Sequence, residues 1–291
     1  MDSNQLMALI NLLDDPDEEI FNHIEEKIIT LGSPAIPTLE TAWETSMNSV
    51  LQSRIENVIH KIQFESVDKN IIQWIDTGAQ SLLDGLLIIA QYQYADVDEH
   101  LVREQMNRIK QDVWLELRDD LTALEKVKIL NRIFFDIHGF AGNTNNFHSP
   151  NNSFVNSVLE SHKGNPLMLC AIYSIVAQSL NIPIMGVNLP ELFILAYVDE
   201  HATGTSSSFE FGSNVLFYVN AFAKGTVFGH KEIDKFLAQM RLQPNAKHYE
   251  PCHNVDIIKR LLRNLKFAYE KNSDAKRVNE IQYIIERIEQ L

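Results

Sequence analysis

The stretch Lys163-Gly164-Asn165-Pro166-Leu167-Met168-Leu169-Cys170 opens an apolar run that lasts to Leu180 and is closed by Asn181-Ile182-Pro183. Pro166 is well placed at a first helical position, where a missing N–H costs nothing and a preset φ suits the helix. The run predicts one buried helix. Three short β-rich segments follow at 184–187, 193–198 and 215–219, with a Ser/Thr/Gly-rich loop at 202–208 between the last two. Their order predicts a small antiparallel sheet behind one central helix.

Upstream of this core, Gly139, Gly142, Asn143, Asn145, Asn146, Pro150, Asn151 and Asn152 make a loop too long and too amide-rich to be a simple connection. Asn side chains in such loops bond their own backbone through Asx turns. Phe134, Phe135, Phe140, Phe147 and Phe154 predict a hydrophobic wall beneath it. Leu82, Leu86 and Ile89, then Leu101, Met106, Ile109 and Val113, then Leu124, Val127, Leu130 and Phe134 keep helical spacing and predict three helices. Residues 1–65 read as helix pairs, with Leu6, Leu9, Ile10, Leu13, Ile20, Ile24 and Ile28 echoed after Gly32-Ser33-Pro34 by Leu39, Trp43, Leu51, Ile55, Ile59 and Ile62. This is a two-unit repeat of the HEAT kind, or simply four antiparallel helices. Residues 255–271 and 276–288 predict a closing helical pair about the turn Asn272-Ser273-Asp274. The expectation is a predominantly helical α+β protein with HEAT-like helices at 1–68, a core at 69–250 and a C-terminal pair at 251–291.

Composition narrows the function classes. The 291 residues are 45% hydrophobic and 22% charged, which describes an ordinary folded chain. Eleven Gly and nine Pro leave few breaks in helix. Lys and Arg number 25 against 39 Asp and Glu, a formal charge of −14 that repels phosphate backbones and anionic lipid. Nucleic acid and membrane therefore drop from the expected partners. Cys170 and Cys252 stand 82 positions apart without a CxxC, so neither a disulfide framework nor a zinc pattern is expected. With no basic, apolar leader at the start of the chain, the cytoplasm is the expected compartment.

The joint order of Gly139-Phe140-Ala141-Gly142-Asn143, Asn152-Ser153, Lys163-Gly164-Asn165-Pro166-Leu167, Asn181-Ile182-Pro183, Gly186-Val187-Asn188-Leu189-Pro190, Phe193 and Asn220-Ala221-Phe222 resembles the bacterial SirB-type transglutaminase-like family. The resemblance spans about 90 residues of sequence and implies a papain/transglutaminase-like core. It also implies tetratricopeptide-like helices after the core, which suits 251–291. Catalysis in that fold needs a thiolate nucleophile, a His to activate it and an Asp or Asn to hold the imidazole. Carried over position by position, those three roles fall on Pro166, Leu192 and Asn220. Proline has no nucleophile and leucine no proton to move, so the resemblance implies a vacant triad, without cofactor or metal.

Two thiols are candidates for a rearranged site. Cys170 lies one turn inside the apolar helix, where a thiol is ordinarily inert core, and Cys252 precedes His253. The expected remnant of the cleft comprises Gly164, Asn165, Pro166, Asn188, Glu191, Leu192 and Asn220. The leading expectation is a non-catalytic scaffold for a protein or peptide partner, basic ones being favoured by the acidic surface. Small-ligand sensing in the old cleft and a cysteine-dependent hydrolase or amide transferase stand as alternatives. Oligomeric state is left open.

Overall fold

A computed structural model describes residues 3–199 and 214–291, so the predicted loop at 202–208 lies outside the described residues. These form two compact units. One holds the described residues up to Trp74 together with Gln91–Asp96, and the other holds Ile75–Ala90 and the described residues from Val97 onward. Among the described residues no helix is long and apolar enough to cross a membrane.

The first unit is helical: α1 (Ser3–Asn11), α2 (Glu18–Ile29), α3 (Ile36–Thr45) and most of α4 (Ser49–Asp76). Asp17 starts α2 by accepting from the N–H groups of Glu19 and Ile20, as a short side-chain oxygen does at an N-cap. Leu6, Ile10, Leu13, Ile24, Ile28, Leu39, Ile55, Val58 and Ile62 form its core, all but Val58 being positions whose spacing predicted the helices, whereas Ile20 and Trp43 of the same pattern are exposed. Arg54 donates to the carbonyls of Leu13 and Asp15 at 2.7 and 2.8 Å, satisfying orphan acceptors in the link after α1. With no Gly or Pro between Ser49 and Asp76, nothing interrupts α4, which runs for 28 residues.

The second unit adds α5 (Leu82–Gln91), α6 (Glu99–Trp114) and α7 (Ala123–Asn131), and α7 continues into a π turn at Arg132–Ile137. After the amide-rich loop come a short strand β1 (Ala141–Gly142), the helix α8 (Val155–Ser161), β2 (Lys163–Gly164) and α9 (Pro166–Gln178). The strands β1 and β2 pair in parallel for two residues. Ten of the thirteen residues of α9 are buried, as a helix that is apolar all round requires. Tyr173 among them is fully buried, and its hydroxyl donates to Asn131 Oδ1 at 2.9 Å.

The sheet is the predicted one with a fourth strand: β3 (Ile184–Leu189), β4 (Leu192–Val198), β5 (Val215–Asn220) and β6 (Thr226–Phe228) in the order β3-β4-β5-β6, all antiparallel. One face buries Val187, Leu189, Ile194, Ala196 and Tyr218 with Ile233 and Leu237 of α10 (His230–Gln239). Successive strand residues alternate, so Phe193, Leu195 and Tyr197 fall on the opposite face, and α9 packs against β4. The chain closes with α11 (Asn254–Lys271) and α12 (Ala275–Glu289), packed on each other as the sequence predicted.

The phenylalanine wall is largely core. Phe134 stacks on Phe140 with centroids 4.2 Å apart and meets Tyr173 edge-on, while Phe154 is fully buried. Phe147 differs, being 45% exposed.

Candidate functional site

The start of α9 is fixed by its cap. Asn165 Oδ1 accepts from the Met168 N–H at 2.9 Å, and Asn165 Nδ2 donates to Ser153 Oγ at 3.0 Å, with both residues buried. Pro166 follows at the first helical position, where it needs no donor partner. A cavity of about 150 Å³ opens over this helix start.

Three other segments wall it. The β3–β4 hairpin has Leu189 opposite Leu192, leaving Pro190 and Glu191 as its tip, and Glu191 sits at φ +57°. A non-glycine residue there carries strain of roughly 1–2 kcal/mol, and this one presents its side chain at the cavity edge. Helix α11 contributes Arg260, Asn264 and Phe267, and the amide-rich loop contributes Phe147 and His148. Burial holds the Arg260 guanidinium below its usual range, and the Glu191 carboxylate opposes that shift. The cavity thus offers a carboxylate and a guanidinium between aromatic walls.

The amide cluster behaves as Asx chemistry predicts. Asn143 Nδ2 donates to Asn152 Oδ1 at 2.8 Å, and buried Asn152 donates to the carbonyls of Asn146 and Phe147 at 2.8 and 3.0 Å. Its polar groups hold the loop that carries Phe147 and His148. His138, at the head of the loop, lies 2.8 Å from Asp112.

Of the residues expected in the remnant cleft, the cavity brings together Asn165, Pro166 and Glu191. Gly164, Leu192 and Asn220 do not line it. Gly164 pairs with Gly142 in the two-residue bridge, Leu192 packs on the cluster around Ile194, and Asn220 Oδ1 accepts from the Ala223 N–H at 3.2 Å to cap the turn Ala221–Ala223. Asn188 is attached through Arg260, whose Nη1 donates to its Oδ1 at 3.4 Å. Sequence reasoning missed Arg260, Asn264 and Phe267. Arg260 carried the one available signal, a charge between Ile257, Ile258, Leu261 and Leu262.

Both thiols are quiet. Cys170 is fully buried beneath the helix start, its Sγ donating to the Phe193 carbonyl at 3.5 Å. Burial pushes this thiol up to about 12, against a small opposing effect of the Ala221 N–H. Cys252 is pushed up to about 12 by burial and then by the Asp256 carboxylate. Thiols so shifted are overwhelmingly protonated at neutral pH, and the thiolate is the nucleophilic form. Among the described residues the lining of the cavity includes neither cysteine.

Asn165→Ala removes the cap of α9 and leaves the buried Ser153 hydroxyl without its donor. A loss of about 1–2 kcal/mol is expected, read as a lower urea midpoint at unchanged m-value.

Comparison with known proteins matches residues 100–263 to a model described as the transglutaminase-like superfamily. A UPF0162 protein of Xylella fastidiosa strain Temecula1 is 27% identical over 201 residues, 69% of this chain and 69% of its own length. A UPF0162 protein of Pasteurella multocida is 31% identical over 103 residues, 35% of this chain and 39% of its own. F-box only protein 21 of Mus musculus is 26% identical over 136 residues, 47% of this chain and 20% of that protein. No solved structure matches.

Proposed function

This chain belongs to the transglutaminase-like superfamily, and from that premise we propose that it is a non-catalytic member acting in the cytoplasm, using the cavity over α9 to hold an extended segment of a protein partner. What supports this reading is the helix start itself: Pro166, where the resemblance puts the nucleophile, lines the cavity, and the nearest thiol in sequence, Cys170, is fully buried. Size favours a segment over a free metabolite. Ligand pockets span roughly 300–1,000 Å³, whereas about 150 Å³ admits a side chain of a longer chain. Glu191 and Arg260 at the rim then read the polar atoms beside that side chain. On this reading the N-terminal unit is HEAT-like and the α11–α12 pair tetratricopeptide-like, both adding partner surface, and the chain is of the SirB type.

The test is selection of displayed twelve-residue peptides on the full chain, followed by fluorescence anisotropy and mass spectrometry. Selected peptides are expected to bind saturably, to lose at least ten-fold in affinity to Glu191→Ala, and to be recovered with unchanged mass. Cleaved, deamidated or cross-linked peptides would return the enzyme reading. Equal affinity for Glu191→Ala would place binding elsewhere.

A further inference from the structure

A second cavity, of about 580 Å³, lies against the first three turns of α11, with Asn188, Leu189 and Pro190 on one side and the segment 245–253 on the other. Its charge runs against that of the chain. Lys247, Lys259, Arg260 and Arg263 line it, against the carboxylates of Glu250 and Asp256 alone, in a protein with 25 Lys and Arg and 39 Asp and Glu. Asp256 is already engaged, accepting from the His253 N–H at 3.3 Å.

Two of the cations are half-buried and neither closes an ion pair among the described residues, the Glu191 carboxylate acting on Arg260 only from beyond ion-pair distance. Among the described residues Lys259 has no ion-pair partner. Arg260 makes only two long bonds, of 3.4 Å each, to the neutral oxygens of Asn188 and Leu189. Arg263 pairs with Glu289 at 2.7 Å, yet stands one turn from Lys259 on the same helix face, a like-charge spacing that destabilises an isolated helix. Partly desolvated cations outside ion pairs are costly, and an anion placed among them offsets both that cost and the like-charge repulsion.

We propose that this basin is a binding site for a small multivalent oxyanion, a ligand bearing at least two anionic groups of the phosphoanhydride or polycarboxylate type. The volume lies in the small-ligand range of roughly 300–1,000 Å³. Planar guanidinium groups suit the paired oxygens of phosphate and carboxylate, and the two lysines add charge without directional demands. The basin shares Arg260 with the cavity over α9, but the proposal does not depend on a peptide occupying that cavity.

Isothermal titration of the full chain at low ionic strength and pH 7.5 tests it, with tripolyphosphate and citrate as probes and acetate at matched ionic strength as control. Saturable binding of at least one probe, and none of acetate, is expected. Preference for tripolyphosphate identifies the phosphoanhydride class, and preference for citrate the polycarboxylate class. Lys259→Glu and the exposed Lys247→Glu should each weaken binding at least five-fold, while Lys128→Glu, the same charge change outside the basin, stays within two-fold. Should Lys259→Glu fail to fold by circular dichroism, Lys247→Glu alone carries the comparison. Absence of saturable binding, or an equal loss in Lys128→Glu, overturns the proposal.

Discussion

Gly225→Ala is expected to lower the unfolding free energy by about 2–4 kcal/mol. Gly225 sits at φ +71°, where an L side chain costs roughly 1–2 kcal/mol. The added Cβ would also collide with the Asn131 side-chain amide. That amide cannot simply move away. Its Nδ2 donates to the Gly225 carbonyl at 2.8 Å, and its Oδ1 accepts from the hydroxyl of buried Tyr173 at 2.9 Å. Displacing it leaves Tyr173 unpartnered inside the core, a penalty of about 1–3 kcal/mol. Urea denaturation followed by circular dichroism measures the loss. A double-mutant cycle with Asn131→Ala separates collision from strain: the pair should cost less than the sum of the two single changes, since the second removes the atoms the first strikes. Full additivity would mean that the clash is absent.

Alkaline pH should expose the burial of Cys170. In the unfolded chain its thiol ionises near the ordinary value of 9.0, whereas in the fold burial pushes it up to about 12. Above pH 9 the unfolded state sheds a proton that the folded state keeps, so stability falls as pH rises and continues to fall until the folded thiol titrates. At pH 11 this one group costs on the order of 3 kcal/mol relative to pH 7. Other groups titrate in the same window, among them Tyr218, raised by its burial, so the comparison must be differential. Cys170→Ala carries a cavity penalty that is the same at every pH. The stability advantage of the unsubstituted chain over that variant should therefore shrink by about 3 kcal/mol between pH 8 and pH 11. A constant difference would show the thiol ionising inside the fold.

Much of the core was legible because its signals are local. Asn165-Pro166 marks a helix start by chemistry that acts within three residues, and the short β-rich runs at 184–187, 193–198 and 215–219 became β3, β4 and β5. The C-terminal pair followed from period alone. Where the sequence reading fell short, the missing information was either short or long in range. The strand β6 has three residues, too few for alternation to register, and the π turn at Arg132–Ile137 departs from the 3.6-residue period of an α-helix. The cavity wall was hidden for the opposite reason. Glu191 and Arg260 face one cavity from 69 positions apart, and no spacing rule links a hairpin tip to the second turn of a distant helix. Leu192 illustrates the cost of a one-residue shift at a hairpin: the strand residue turns into the sheet's core while its neighbour at the tip meets the cavity.

The contribution of α11 sets a timetable for synthesis. Asn254 donates to the carbonyls of Ala79 and Gln80, 175 and 174 positions earlier, at 2.9 and 3.0 Å, and the same helix supplies Arg260, Asn264 and Phe267 to the cavity. A nascent chain that has released α9 and the sheet from the ribosome still lacks that wall. Any ligand of the cavity therefore meets only chains translated through about residue 268 and folded back, so a partner bound there distinguishes chains that carry the whole wall from those that do not yet have it.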